Sequence, residues 1–141
     1  MGNRTFAIIK PDAVINGYTG KIYDRIIYAN FKILGAKLIR ITLAQAEGFY
    51  VIHKGKPFYS ELTDFMSSGK SMVLVLEKEN AVSEWRNLIG STNPDEAAEG
   101  TIRKAFATSI GKNSVHGSDS DENAEKEIGF FFTEYELISN Q

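Results

Sequence analysis

The sequence predicts an α+β fold of the ferredoxin-like βαββαβ kind, a four-stranded antiparallel sheet with helices packed on one face. Three observations lead there. Apolar residues gather in four runs of strand length, the most continuous being Ser71-Met72-Val73-Leu74-Val75-Leu76. Amphipathic stretches separate them, so the element order is strand, helix, strand, helices, strand, helix, loop, helix, strand. The 141 residues also carry no internal repeat, low-complexity tract or linker, so residues 1–141 are expected to form one domain with its own core.

Thr5 to Lys10 alternates and is rich in apolar residues, and Pro11-Asp12 stops it. It reads as a buried strand followed by a turn. Ile22, Ile26 and Ala29 recur at helical spacing through Lys21 to Asn30. Ile33 to Thr42 then alternates as a strand, with Leu34, Ala36 and Leu38 on one face and Ile33, Lys37, Ile39 and Ile41 on the other. Thr42-Leu43-Ala44-Gln45 has the form of a capping box opening a short helix to about Ile52. Pro57 ends that stretch, and a second short helix follows with Leu62, Phe65 and Met66 inward and Gly69 as its C-terminal cap. After the central strand at Ser71 to Leu76, Asn80 caps a helix whose Val82, Trp85 and Ile89 share a side, ending at Gly90. Ser91 to Ser118 is irregular but holds Ile102, Phe106 and Ile110, which argue that it is packed. A helix at Ser120 to Lys126, a last strand at Ile128 to Tyr135 and a short tail from Leu137 complete the order.

Composition excludes several chemistries. With no cysteine there is no disulfide, thiol nucleophile or zinc-thiolate site, which suits a cytoplasmic protein. The formal net charge of -2 argues against a protein whose work is to neutralise a nucleic-acid backbone, while leaving room for a local basic cleft. The first apolar run is too short for a signal-peptide core or a membrane span.

The chemistry-bearing stretch is Asn113-Ser114-Val115-His116-Gly117-Ser118-Asp119. It places one of the two histidines among small hydrogen-bonding residues, where a ring nitrogen can serve as base, ligand or nucleophile. The other, His53, sits beside Lys54 and Lys56 and reads as an exposed helix end. Taken alone, Arg86 reads as a solvated helix charge, Phe58 and Tyr50 as ordinary core or rim aromatics, and Glu127 as helix-surface charge.

With these pieces in place the chain resembles nucleoside diphosphate kinase from Thr5 to about Phe132. Asn113 to Ser120 is similar to the family's pattern around its phosphorylated histidine. Ile9-Lys10-Pro11-Asp12, Lys56-Pro57-Phe58, Ser68-Gly69, Leu88 to Pro94, Gly100-Thr101-Ile102-Arg103 and Ala124 to Ile128 follow in the family's order and spacing. The resemblance implies the ferredoxin-like fold and a ping-pong transfer of the γ-phosphate from a nucleoside triphosphate, commonly ATP, to a nucleoside diphosphate. His116 would carry the phosphoryl group. Lys10, Tyr50, Arg86, Thr92 and Arg103 would bind the phosphates, and Asn113 and Lys10 the ribose. Phe58 would stack on the base with Leu62 and Ile110 alongside, a contact that reads no base edge and so gives low base specificity. Glu127 would fix the tautomer of His116, and Ser118 would sit between Glu127 and the phosphoryl group. Mg²⁺ would be held mainly by the nucleotide phosphates, with Asp119 the nearest candidate carboxylate.

The family's homo-oligomers imply a hexamer, with a tetramer as the alternative, and Pro94 falls in the loop that packs at its threefold contacts. No stable nucleic acid and no membrane partner is implied. The chain departs from the family pattern at Phe49, Lys70, Glu99, Lys104-Ala105 and Phe131, and Glu99 to Ala105 flank Arg103. Three competing readings have their own signatures. A sheet that binds single-stranded nucleic acid would need a run such as a Lys/Arg-Gly-Phe start at Phe130 to Phe132, which Ile128-Gly129-Phe130 does not supply, and the acidic net charge opposes it. A nucleotide-free phosphocarrier would not need the Lys10, Phe58, Arg86, Thr92 and Arg103 set. An inactive scaffold would not need His116 and Glu127 intact.

Overall fold

In the computed structural model, which describes residues 2–140, the chain folds around one sheet. Its strands are β1 (Arg4–Ile9), β2 (Lys32–Arg40), β3 (Lys70–Glu77) and β4 (Val115–Gly117), all paired antiparallel in the order β2-β3-β1-β4. The α+β, four-stranded expectation holds. β1 and β3 are inner strands and read as near-continuous apolar runs because both of their faces are covered.

Those two faces carry separate cores. Phe6 and Ile8 of β1 join Leu34, Val73 and Val75 on one side, under α3 (Leu43–Phe49), α4 (Tyr59–Met66), α7 (Asp121–Phe131) and α8 (Glu134–Ile138). Ala7 and Ile9 join Leu74 and Leu76 on the other, under α1 (Pro11–Ile15), α2 (Thr19–Tyr28), α5 (Ala81–Ile89) and α6 (Ile102–Phe106). Helices therefore cover both faces rather than one. Among the described residues no helix is long and apolar enough to cross a membrane.

Several elements differ from the sequence reading, each for a local reason. The fourth strand is Val115–Gly117, inside the stretch read as irregular, and Ile128 to Phe131 belong to helix α7. Ala124 and Ile128 are its buried positions, four residues apart, and that spacing is helical. Pro11-Asp12 opens α1 rather than a turn, because proline at the first helical position gives up no hydrogen bond. Asn80 precedes α5 as expected, yet it sits at φ +57° and its side chain caps nothing. Ser67, not Gly69, ends α4. Leu137 is fully buried within α8, so the expected tail is a docked helix with its own Thr133–Glu136 capping box.

β2 shows how one residue resets a face. A register shift between Ile33 and Gly35 moves Ile39 onto the side of Leu34, while Ala36 and the half-exposed Leu38 turn the other way. Gly35 is required there, since a Cβ would stand 2.7 Å from Cε1 of Phe132. The α8 dock closes this region, and Asn140 donates to Leu34 O at 2.7 Å. Replacing Leu137 by alanine is expected to lower the free energy of unfolding by about 2–5 kcal/mol, the usual range for a fully buried leucine. Urea denaturation measures it, and an unchanged midpoint would mean that α8 contributes no packing.

Candidate active site

His116 is the middle residue of β4, which borders β1 through three residue pairs, Ala7 with Gly117, Ile8 with His116 and Ile9 with Val115. So short an edge strand needs outside support. Trp85 of α5, fully buried, donates from Nε1 to His116 O at 3.1 Å. Arg103 of α6 donates from Nη2 to Val115 O at 2.9 Å and from Nη1 to Gly90 O at 3.0 Å. Gly90 lies at φ +87°, and a Cβ there would meet the Thr101 side chain at 2.7 Å, so this strut needs glycine at its far end.

The imidazole itself is held by α7. Glu127 Oε1 lies 2.8 Å from Nε2 of His116 and accepts a second bond from Ser118 Oγ, also at 2.8 Å. An ionised carboxylate only accepts, so Nε2 carries the hydrogen and the lone pair stays on Nδ1. The rings of Phe6, Phe49 and Tyr50 surround the imidazole at centroid distances of 6.1, 5.5 and 6.3 Å. Burial, with the Glu127 charge adding to it, pushes the Tyr50 phenol up, and its hydroxyl has no partner among the described residues.

His116 opens onto a cleft of about 570 Å³ whose wall includes Lys10, Tyr50, Phe58, Leu62, Ile110 and Asn113. Lys10 is buried, and its Nζ donates to Asn113 Oδ1 at 2.9 Å, while Asn113 Nδ2 donates to Thr92 O at 3.3 Å. Burial and the Arg103 guanidinium pull Lys10 from its ordinary 10.5 down to about 8, against the opposing pull of Asp12. At the mouth Phe58 and Ile110 are about half exposed, presenting a free aromatic face and an aliphatic side chain. An adjoining recess is lined by Arg86, Thr92 and Arg103, and Thr92 borders both spaces. There burial and the neighbouring Arg86 lower Arg103 to about 10. Like charges so close repel, and an anion bound among them would relieve the repulsion.

The structure thus brings together Lys10, Tyr50, Phe58, Leu62, Thr92, Ile110, Asn113 and His116 in one cleft, with Arg86 and Arg103 in the next. Ser118 and Glu127 stand behind the imidazole. Ser118 is fully buried and also bonds to Phe6. Asp119 is exposed and accepts from Asn123 at 2.6 Å. Lys104 and Ala105 continue α6 through Arg103. Sequence reasoning missed Trp85 as a support of β4, and it missed Asp12 and Ser114, which bond to each other under the cleft. His53 is not a bland helix end: its ring packs 5.3 Å from Phe58, beside the cleft mouth.

No group of three or more histidine, aspartate or glutamate side chains among the described residues could cage a metal.

An imidazole fixed in one tautomer and faced by concentrated positive charge suits the passage of a phosphoryl group through histidine, and fold and site together define a phosphotransferase. The family model for nucleoside diphosphate kinase matches residues 3–137. A nucleoside diphosphate kinase of Salinibacter ruber is 55% identical over 97% of this chain and 96% of its own, and one of Flavobacterium psychrophilum is 58% identical over 92% and 94%. Among solved structures, the Aquifex aeolicus enzyme superposes with a TM-score of 0.94 at 45% identity, covering 96% of this chain and 98% of its own. A halophilic nucleoside diphosphate kinase from Halobacterium salinarum, solved in complex with CDP, gives 0.92 at 37% identity, covering 97% and 91%. The chain belongs to the nucleoside diphosphate kinase family, enzymes that transfer phosphate between nucleotides through a histidine intermediate and use a divalent cation.

Arg103→Lys tests the strut. One ammonium cannot span Gly90 O and Val115 O as the guanidinium fork does, so a buried carbonyl is left bare. Unfolding free energy is expected to fall by about 1–3 kcal/mol. An unchanged thermal midpoint would show that β4 does not depend on this residue.

Proposed function

We propose that His116 carries the phosphoryl group in this chain, and that the cleft beside it takes donor and acceptor nucleotides in turn. The observation that carries the reading is the 2.8 Å bond from His116 Nε2 to Glu127, which leaves Nδ1 as the nucleophile beside the cleft. As the Nδ1–phosphorus bond forms, the bond from phosphorus to the β–γ bridging oxygen breaks and the diphosphate departs. The ring becomes cationic and Glu127 stabilises it, as an orienting carboxylate does. In the second half-reaction a terminal phosphate oxygen of another diphosphate attacks the same phosphorus and Nδ1 is released.

Lys10, Arg86, Arg103, Tyr50 and Thr92 bind the phosphates, and their preset charge stabilises the transferring group without reorganisation. Asn113 and Lys10 hold the ribose. Phe58, with Leu62 and Ile110, stacks on the base, so purines and pyrimidines are accepted alike. The cation would be Mg²⁺, held mainly by the nucleotide phosphates with Asp119 as the nearest candidate carboxylate, and it would neutralise charge on the phosphates. Ser118 acts from behind, through its bond to Glu127.

Residues 1–141 work as one domain in the cytoplasm, assembled as a homo-oligomer, with a hexamer favoured over a tetramer. Exposed Ile27 and Tyr28 on α2 and Leu38 on the edge strand β2 support self-association.

Wild-type protein mixed with γ-labelled ATP and Mg²⁺ is expected to acquire an acid-labile, base-stable label that GDP chases into GTP, whereas His116→Ala takes none. Wild type that binds nucleotide yet stays unlabelled would refute the reading. Because Lys10 loses its proton above about pH 8, kcat/KM is expected to be highest below that pH and to fall above it. A profile flat to pH 10, roughly the free amine range, would mean that this charge is not used.

A further inference from the structure

We propose that Asp12 is a positioning residue of this reaction: its carboxylate pins Ser114 in a left-handed backbone conformation, and this sets the placement of Lys10 and Asn113. The inference rests on the functional reading above. Asp12 touches no reacting atom, and it acts through the turn that leads into β4.

Ser114 has φ +73° and is completely buried. Left-handed backbone is uncommon for serine, which gains none of the freedom that glycine has there, so the surroundings must impose it. They do so from both sides. The Ser114 N–H donates to Asp12 Oδ2 at 3.1 Å, and its carbonyl accepts from the Lys10 N–H at 2.8 Å. The turn thereby ties together the end of β1, the start of α1 and the start of β4.

Both neighbours of this turn matter to the cleft. Asn113 immediately precedes Ser114, and its side chain bridges Lys10 Nζ and Thr92 O. Its carbonyl accepts from the Val115 N–H at 2.8 Å, one residue before His116. If Ser114 relaxed to ordinary backbone, the Asn113 side chain would rotate away from Lys10, and the ammonium would lose its neutral partner.

Asp12 itself is held at a disadvantage. It is 9% exposed, and its Oδ1 has no partner among the described residues. Burial raises its pKa, while the Ser114 N–H, the Lys10 charge and the N–H groups of Asp12 and Ala13 oppose that rise. Ser114 N–H is the hydrogen-bond partner this buried carboxylate takes from outside its own helix turn. The charged groups around Lys10 are Arg103 on α6, Asp12 on α1, Glu61 on α4, and Lys112 and His116 on the cleft wall. Asp12 is the one that raises Lys10.

The test uses the full chain with Asp12→Ala, Asp12→Asn, Ser114→Gly and the two doubles. Labelling by γ-labelled ATP, kcat/KM against pH and thermal unfolding are measured on each. Asp12→Ala is expected to lower kcat/KM about tenfold or more, as small misplacements of positioning groups do. Asp12→Asn keeps a weaker, neutral acceptor and is expected to lose about threefold. Its alkaline limb should also move to lower pH, since the charge that helped keep Lys10 protonated is gone. Ser114→Gly should recover most of either loss, because glycine takes the left-handed turn without being held. A merely structural role would lower the melting temperature and leave kcat/KM, measured well below melting, unchanged. Where Asp12→Ala does not fold, Asp12→Asn and its glycine double decide by the same comparison. Variants within about twofold of wild type, a ratio near the scatter of additive mutational effects, or no recovery with glycine, overturn the proposal. An unlabelled wild type instead sinks the functional reading, whatever the Asp12 variants do.

Discussion

His116 stands on a strand of three residues, and a strand that short cannot secure its own register. The surrounding structure compensates. Trp85 reaches β4 from α5, Arg103 from α6, Glu127 from α7, and Ser114 links it to α1 through Asp12. Helices from both faces of the sheet therefore converge on one edge. Two of the four ties grip backbone carbonyls, one grips the amide of the entering turn and one grips the imidazole. Position and orientation are thus fixed by different groups.

Electrostatics follow from the same convergence. Lys10 stands between β1 and α1, Arg86 lies on α5 and Arg103 on α6, and each element is placed by apolar packing that takes no account of charge. The packing energy of Ile9, Trp85, Ile89 and Ile102, all nearly or fully buried, holds the cations close despite their repulsion. Burial first, and then the neighbouring positive charge, lowers both Lys10 and Arg103. An anion bound among them offsets the repulsion, and this gathering of cations is how a chain of net charge -2 presents a basic cleft.

Legibility in the sequence divides along physical lines. Strands β1 and β3 were readable because burial on both faces makes them continuous apolar runs, and α2 and α5 because one face repeats at helical spacing. The Thr42 capping box was visible as a four-residue pattern. β4 was not, since Val115-His116-Gly117 has one apolar residue and is held by side chains distant in sequence. Phe130 to Phe132 misled for the opposite reason: three adjacent aromatics suit a strand, yet their helix turns Phe131 onto Phe6, while Phe130 is left partly exposed. The site residues were legible through family resemblance rather than spacing, because Lys10, Arg86, Arg103 and Glu127 look like surface charges until the fold gathers them. Asp12 and Ser114 fall inside the matching strings, but the resemblance gives them no role. A left-handed serine leaves no trace in a single sequence, because its cause lies 102 residues away.

The distribution of unsatisfied atoms shows what the fold gives up for this site. Six buried side-chain atoms lack a hydrogen-bond partner among the described residues, and four of them, on Asp12, Tyr50, Arg103 and Ser114, belong to the walls and supports of the cleft. The two others, on Thr5 and Ser71, sit within β1 and β3. Of the four, Tyr50 Oη and Arg103 Nε are donors held in place without being consumed, and such groups stabilise an anion because they need not first break another bond. Tyr50 Oη and Arg103 Nε can be satisfied by a bound phosphate or by water that enters with it, whereas Asp12 Oδ1 and Ser114 Oγ belong to the turn that leads into β4. A ligand that binds the folded chain through Tyr50 Oη and Arg103 Nε stabilises it in step with its concentration and affinity.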